Sequence, residues 1–219
     1  LALTLCGLRR IPQLHTAITT GQPTWDWSPK DGVGLPRERG AQYSDDSVFS
    51  HGTLKGKRVR VVGVGNIGSR YASFAHALGA EVSAYDPYAT EPCFHRAGAH
   101  REHHLARLVS DAQVFAPMLP LNDSTQNVIT EDHINELPSG CLVVLVTRAN
   151  ILDMNALRRR VLADEISLAA DVFDHEPLPP DDLLIGRHNV VHTPHIAGRT
   201  ADANFSWAQH LADQFAPII

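Results

Sequence analysis

The segment Gly63-Val64-Gly65-Asn66-Ile67-Gly68 spaces its glycines as G-x-G-x-x-G. Taken alone this is a common turn. It gains chemical meaning when a strand runs into it and a helix runs out of it. Residues 58–62 are short and Val-rich, as a buried strand should be, and Ile67, Tyr71, Phe74, Ala75 and Leu78 follow at helical spacing before Gly79. These five predict an amphipathic helix with one apolar face, and Gly79 is its natural stop. In that frame Gly63 permits the tight turn, Gly65 lets a pyrophosphate approach the backbone, and Gly68 lets the helix lie close on the strand. Asn66 and Ile67 open the helix, whose N-terminus turns free N–H groups and partial positive charge toward phosphate.

The next strand, residues 81–85, ends at Asp86. A carboxylate there accepts hydrogen bonds from both adenosine ribose hydroxyls and repels a 2′-phosphate. The sequence continues Pro87-Tyr88 with no arginine directly after the acid. The expected ligand is therefore NAD rather than NADP.

Three further ionisable residues follow expected strands: Arg148 after residues 142–146, Glu176 after 166–172, and His195 after 189–193. Ligands of open α/β sheets bind at the carboxyl ends of strands. Singly, each of the three is unremarkable, because an arginine after a strand, a glutamate before a proline and a lone histidine are ordinarily structural.

The elements that must position these residues alternate. Strands are expected at 58–62, 81–85, 114–118, 142–146, 166–172 and 189–193, with helical stretches between them. This βαβα order predicts an α/β fold with a doubly wound parallel sheet of the Rossmann type. Residues 1–20 read as one helix, interrupted if anywhere at Pro12, and 21–52 read as an arm rich in Pro and Gly that carries Trp25 and Trp27. The expected division is a helix and arm over 1–52, the dinucleotide domain over 53–199, and a C-terminal helix over 200–219.

The chain has 219 residues, a formal net charge of −5 and 43% hydrophobic residues. That is enough apolar material for a sizeable core, and the balance of charge offers nothing to nucleic acid or to an anionic membrane. Arg158-Arg159-Arg160 sits on a predicted helix and reads as a solvated face. Cys6, Cys93 and Cys141 are far apart with no CxxC, which suits a reduced, cytoplasmic protein. The histidines at 95, 100, 103 and 104 lie near Cys93, but their spacing fits no standard zinc site. They read as an exposed loop and helix start, and no metal is expected.

The three ionisable residues, in this order, resemble those of the D-isomer-specific 2-hydroxyacid dehydrogenase family. The resemblance also rests on Leu54-Lys55-Gly56-Lys57, Pro120-Leu121 with Thr125, Arg148 with Asp153, Asp171-Val172-Phe173 leading to Glu176-Pro177, and Thr193-Pro194-His195. It implies an enzyme that passes hydride between NAD and a small 2-hydroxy or 2-keto acid. His195 would be the acid/base, as imidazole suits near neutral pH. Glu176 would orient the ring, and Arg148 would bind the substrate carboxylate and polarise the keto oxygen. Asp171 would fix the nicotinamide carboxamide. Pro120, Thr125 and the backbone of Val146 and Thr147 would line the cofactor cleft. The resemblance further implies a homodimer paired through this domain; the arm with Trp25 and Trp27 either serves that contact or packs back on its own domain.

The chain departs from the family pattern in places. Leu145-Val146-Thr147 precedes the arginine where Asn-Thr-Ala is usual, Ala149-Asn150 replace two glycines, Arg60 stands where glycine is frequent, and Met118 where a polar residue is frequent. The family also places a substrate domain ahead of the first helix seen here. The chain is thus expected to be part of a longer protein, able to bind NAD but poorly active alone. The competing expectation is a scaffold of the same superfamily, an NAD-sensing corepressor-like protein that keeps the triad.

Overall fold

The computed structural model describes residues 1–20, 52–198 and 200–215. The expected arm, with Trp25 and Trp27, lies outside the described residues.

Seven strands form one parallel sheet: β1 (Arg58–Val62), β2 (Glu81–Tyr85), β3 (His100–Arg101), β4 (Val114–Pro117), β5 (Leu142–Leu145), β6 (Ser167–Ala170) and β7 (Val190–His192). Their spatial order is β3-β2-β1-β4-β5-β6-β7, with every neighbouring pair parallel. This is the doubly wound Rossmann arrangement expected from the βαβα order. Helices cover both faces: α1 (Ala2–Arg9), α2 (Ile11–Thr20), α3 (Asn66–Ala77), α4 (Glu91–Arg96), α5 (Leu105–Val109), α6 (Glu131–Asn135) and α7 (Met154–Leu162), followed by α8 (Ala201–Gln214).

Strand side chains alternate between the faces, so the sheet divides the core in two. Val143 and Leu145 pack with Ile151, Leu157 and Ile134 on one side. Leu142 and Val144 pack with Leu8, Val59, Val61 and Tyr71 on the other. The chain reverses direction around the sheet between β1 and β4. The crevice outside their carboxyl ends is where such sheets bind ligands.

Four expectations need correction. The N-terminal helix breaks at Arg10, not at Pro12. Arg10 adopts the left-handed conformation at φ 51°, and its N–H caps carbonyls of Cys6 and Gly7. Pro12 is then the second residue of α2, where a missing N–H costs no intrahelical bond. The two-residue strand β3 was not expected; it is too short for a period-2 signal and exists by pairing with Ser83 and Ala84.

The buried face of α3 is also rotated from the expected one. Gly68, Tyr71, Ala72 and Ala75 face the core, while Ile67 and Phe74 are more than half exposed. Helix–sheet contact sets this rotation. A Cβ on Gly68 would lie 1.9 Å from the Gly63 carbonyl oxygen, so only a stripe of small residues can make that close approach.

The arginine triplet does lie on α7, but it is not a uniformly solvated face. Arg160 is buried and donates to the carbonyls of Ile134, Asn135 and Leu137, capping the C-terminal end of α6. A cation at a helix C-terminus is favoured by the helix dipole. Arg159 is exposed and pairs with Glu131. Arg158 is taken up by two aspartates described below.

Candidate active site

The residues expected at the site follow the carboxyl ends of β1, β2, β4, β5, β6 and β7, in the turns and the helix start beyond them. After β1, Gly63 has φ 90°, a conformation glycine adopts without strain, and a side chain there would press on Leu119 and Met118. Gly65 begins α3 as its N-cap and supplies no side-chain cap. A Cβ built on Gly65 meets nothing within 4 Å. Asn66 and Ile67 are exposed beside it. The turn therefore has an open face directly over a helix N-terminus, and this concavity fits a pyrophosphate.

Asp86, after β2, does more than await a ribose. Its Oδ2 accepts the Val64 N–H at 3.0 Å, and its Oδ1 accepts the N–H groups of Tyr88 and Ala89 at 2.9 and 3.1 Å. It thus ties the glycine turn to β2. With two N–H groups on Oδ1 and one on Oδ2, the acceptor site left on Oδ2 fits a ribose hydroxyl.

After β4, the turn at 120–125 is closed by Thr125, whose hydroxyl donates to the Pro120 carbonyl at 2.6 Å and accepts the Asn122 N–H at 2.9 Å. Thr125 shapes this wall of the crevice through its own turn, while Pro120 is exposed on it. Met118, Val146, Asn66, Ile67 and Tyr71 border a depression on the α3 side of the crevice.

Arg148 follows β5 and is exposed. Its Nη1 donates to the carbonyl of Thr147 at 2.6 Å, which folds the guanidinium back onto its own strand end. Thr147 is buried, with its hydroxyl facing the Pro117 carbonyl at 3.4 Å. Among the described residues Arg148 forms no ion pair with Glu176.

Glu176 and His195 do meet. His195 Nδ1 lies 2.6 Å from Glu176 Oε2. An ionised carboxylate only accepts, so Nδ1 carries the proton, and Nε2 has no hydrogen-bond partner among the described residues. Glu176 Oε1 is held in turn by the Phe173 N–H at 2.8 Å. Burial opposes ionisation of Glu176, but the His195 and Phe173 hydrogen bonds outweigh it and hold the carboxyl below its usual range. The imidazole owes its direction to backbone geometry: His195 has φ 54°, which is rare outside glycine.

Asp171 stabilises that backbone. It is fully buried, and its Oδ1 accepts the Thr193 hydroxyl and the Ile196 N–H while its Oδ2 accepts the Ala197 N–H at 2.8 Å. The acid after β6 thus anchors the loop after β7 on both sides of His195. This use of Asp171 is not legible in the sequence, because its partners are a hydroxyl and two backbone amides 22, 25 and 26 residues away. Also unforeseen was Arg158, for which a run of three arginines gave a misleading surface signal.

Of the residues expected at the site, the structure hydrogen-bonds Glu176 to His195 and ties Asp171 to the residues flanking His195, and it sets Asp86 against the glycine turn of Gly63, Gly65 and Gly68 through Val64. Arg148, Val146, Thr147, Pro120 and Thr125 stand between them, after β4 and β5. Among the described residues no group of His, Cys, Asp or Glu is arranged to hold a metal, and no helix is long and apolar enough to cross a membrane.

Comparison with known proteins agrees with this layout. The family described as "D-isomer specific 2-hydroxyacid dehydrogenase, NAD binding domain" matches residues 1–197. A D-3-phosphoglycerate dehydrogenase of Archaeoglobus fulgidus is 28% identical over 214 residues, covering 97% of this chain and 36% of that protein. A hydroxypyruvate reductase of Thermotoga maritima is 33% identical over 154 residues, covering 68% of this chain and 49% of that protein. The chain thus spans half or less of the length of these two relatives. Among solved structures, a glyoxylate reductase from Paecilomyes thermophila shares the fold, with a TM-score of 0.76 and 22% identity over 96% of this chain and 57% of that one. A match along nearly the whole dinucleotide fold leaves one assignment: the chain belongs to the D-isomer specific 2-hydroxyacid dehydrogenase family, in its NAD-binding domain.

Proposed function

We propose that this domain serves an NAD-dependent oxidoreductase that interconverts a small 2-hydroxy acid and the corresponding 2-keto acid. One observation carries the proposal: the His195–Glu176 hydrogen bond of 2.6 Å, beyond the carboxyl ends of the same parallel sheet as a glycine turn open to a dinucleotide. NAD, when bound, supplies or accepts the hydride at substrate C2. The chain's own residues handle the proton and the charge. In reduction, His195 Nε2 donates its proton to the keto oxygen; in oxidation it takes the proton from the hydroxyl. Glu176 fixes the tautomer by accepting the Nδ1 proton. Arg148, once it swings from its own strand end, pairs with the substrate carboxylate.

Gly63, Gly65, Asn66, Ile67, Gly68 and Asp86 hold the dinucleotide, and Pro120, Thr125, Val146 and Thr147 line its cleft. The proposal keeps the division into 1–52, 53–199 and 200–219, pairing as a homodimer, and a cytoplasmic setting. The relatives' names place phosphoglycerate, hydroxypyruvate and glyoxylate among the acids to test first.

His195→Gln is the direct test. Turnover of 2-keto acids with NADH should vanish while NADH binding persists. Full turnover in that variant overturns the reading.

A further inference from the structure

Residues 171–189 contain no helix or strand, yet they must hold Glu176 within hydrogen-bond reach of His195. The tie between this stretch and the rigid part of the domain is Arg158 on α7. Its Nε and Nη2 fork onto the Asp174 carboxylate, at 3.1 Å to Oδ2 and 2.7 Å to Oδ1. Its Nη1 and Nη2 also reach Asp182, at 3.1 Å to Oδ1 and 3.0 Å to Oδ2. Asp174 and Asp182 lie on opposite sides of Glu176 in the sequence. One guanidinium therefore grips both ends of the segment that carries the glutamate.

This is not an ordinary surface ion pair, which would contribute little. The Arg158 and Asp182 side chains are only 18% and 10% exposed. Asp182 also accepts the N–H of Leu184, whose side chain is fully buried in the core. Burial alone would push the Asp182 carboxyl up, but the hydrogen bonds from Arg158 and Leu184 hold it below its ordinary value. The planar fork fixes direction as well as distance, which a lysine would not reproduce.

We infer that Arg158 is a positioning residue for the Glu176–His195 pair, holding the Glu176 segment against α7 through Asp174 and Asp182. The inference rests on the function proposed above. It makes Arg158 the counterpart of Asp171: the aspartate anchors the histidine side of the pair, and the arginine anchors the glutamate side.

The test compares the full-length protein with its Arg158→Met and Arg158→Lys variants. The readouts are kcat, KM, NADH affinity and the low-field proton resonance of His195 Nδ1–H, assigned by its loss in His195→Gln. Arg158→Met should broaden or abolish that resonance and lower kcat by roughly tenfold to a hundredfold, with NADH affinity unchanged within about twofold. Arg158→Lys should recover part of both. An intact resonance in Arg158→Met overturns the inference whatever the rate does, and so does a loss of NADH affinity equal to the loss of rate. If Arg158→Met does not fold, Asp174→Asn carries the same test, with a smaller loss in the same readouts, since Asp182 stays paired. Absence of the resonance in the unmodified protein overturns both the inference and the proposed function. Its presence there with retention in Arg158→Met overturns the inference alone.

Discussion

His195 Nδ1 and Glu176 Oε2 are hydrogen-bonded at 2.6 Å although each belongs to a different loop, one after β7 and one after β6. The pair forms because these strands are sheet neighbours, with Ala170 in register with His192. Asp171, the first residue past β6, then pins the backbone around His195.

Asp171→Asn should expose how much the pair depends on that anchor. The substitution turns one acceptor into a donor facing a backbone N–H, at a cost of about 1–3 kcal/mol. Turnover should fall at least about tenfold, with the NADH dissociation constant changing less than about threefold. Steady-state kinetics and fluorescence titration separate the two. An equal fall in both would return Asp171 to the role of a nicotinamide contact.

Two glycines of one turn should behave oppositely. A methyl on Gly65 enters open space and its φ of −69° suits alanine, so Gly65→Ala should melt within about 2 °C of the unmodified protein. It should nevertheless weaken NADH binding by about tenfold or more, because the methyl sits where phosphate must approach. Gly68→Ala drives its methyl into the Gly63 carbonyl and should destabilise the fold by roughly 3 kcal/mol or more. Calorimetry and binding assays on the two variants check this.

Acid should loosen the Glu176 segment. The Glu176 and Asp182 carboxyls are both held below their ordinary values in the folded chain. Their contribution to stability is therefore complete above the ordinary carboxylate range and lost as pH falls through the folded values. Glu176→Gln should flatten part of the stability loss between about pH 5 and about pH 2. Denaturant melts at stepped pH measure it; identical acid slopes would contradict the shift.

Arg60 was read from the sequence as a departure from glycine in the first strand. Its guanidinium is buried and meets Asp111 with two bonds of 2.7 Å. Asp111→Asn should cost roughly 1–2 kcal/mol, modest for a buried cation because Asp111 itself is about half exposed. Adding Arg60→Met should recover part of the loss by removing the stranded charge. Thermal melts of the single and double variants decide it.

The sequence made the sheet legible because each strand is short, apolar and bounded by turn residues. It made the glycine turn legible because Gly63 and Gly68 answer to steric demands that no other residue meets. What escaped it depended on distant partners. The two residues of β3 are a strand only beside β2, the exposed Phe74 of α3 follows from the close approach at Gly68, and Arg158, Arg159 and Arg160 look alike in sequence but have three separate fates. The Glu176–His195 contact itself could be expected only through the family resemblance, since nothing local relates two loops nineteen residues apart.

The order of strands along the chain also sets the order in which the parts of the site are made. The residues of the glycine turn and Asp86 have been added once β1, α3 and β2 are complete at residue 86, and those of β4 by residue 117. The acid/base pair waits for β7, an edge strand, and is not finished until residue 195 has been made. As the chain leaves the ribosome, the residues that cradle a dinucleotide emerge before those that would use it, while the core beneath them closes only once Leu142, Val144 and Ala169 have been added. Synthesis halted between those points leaves a polypeptide that carries the nucleotide turn in its sequence and lacks the proton carrier.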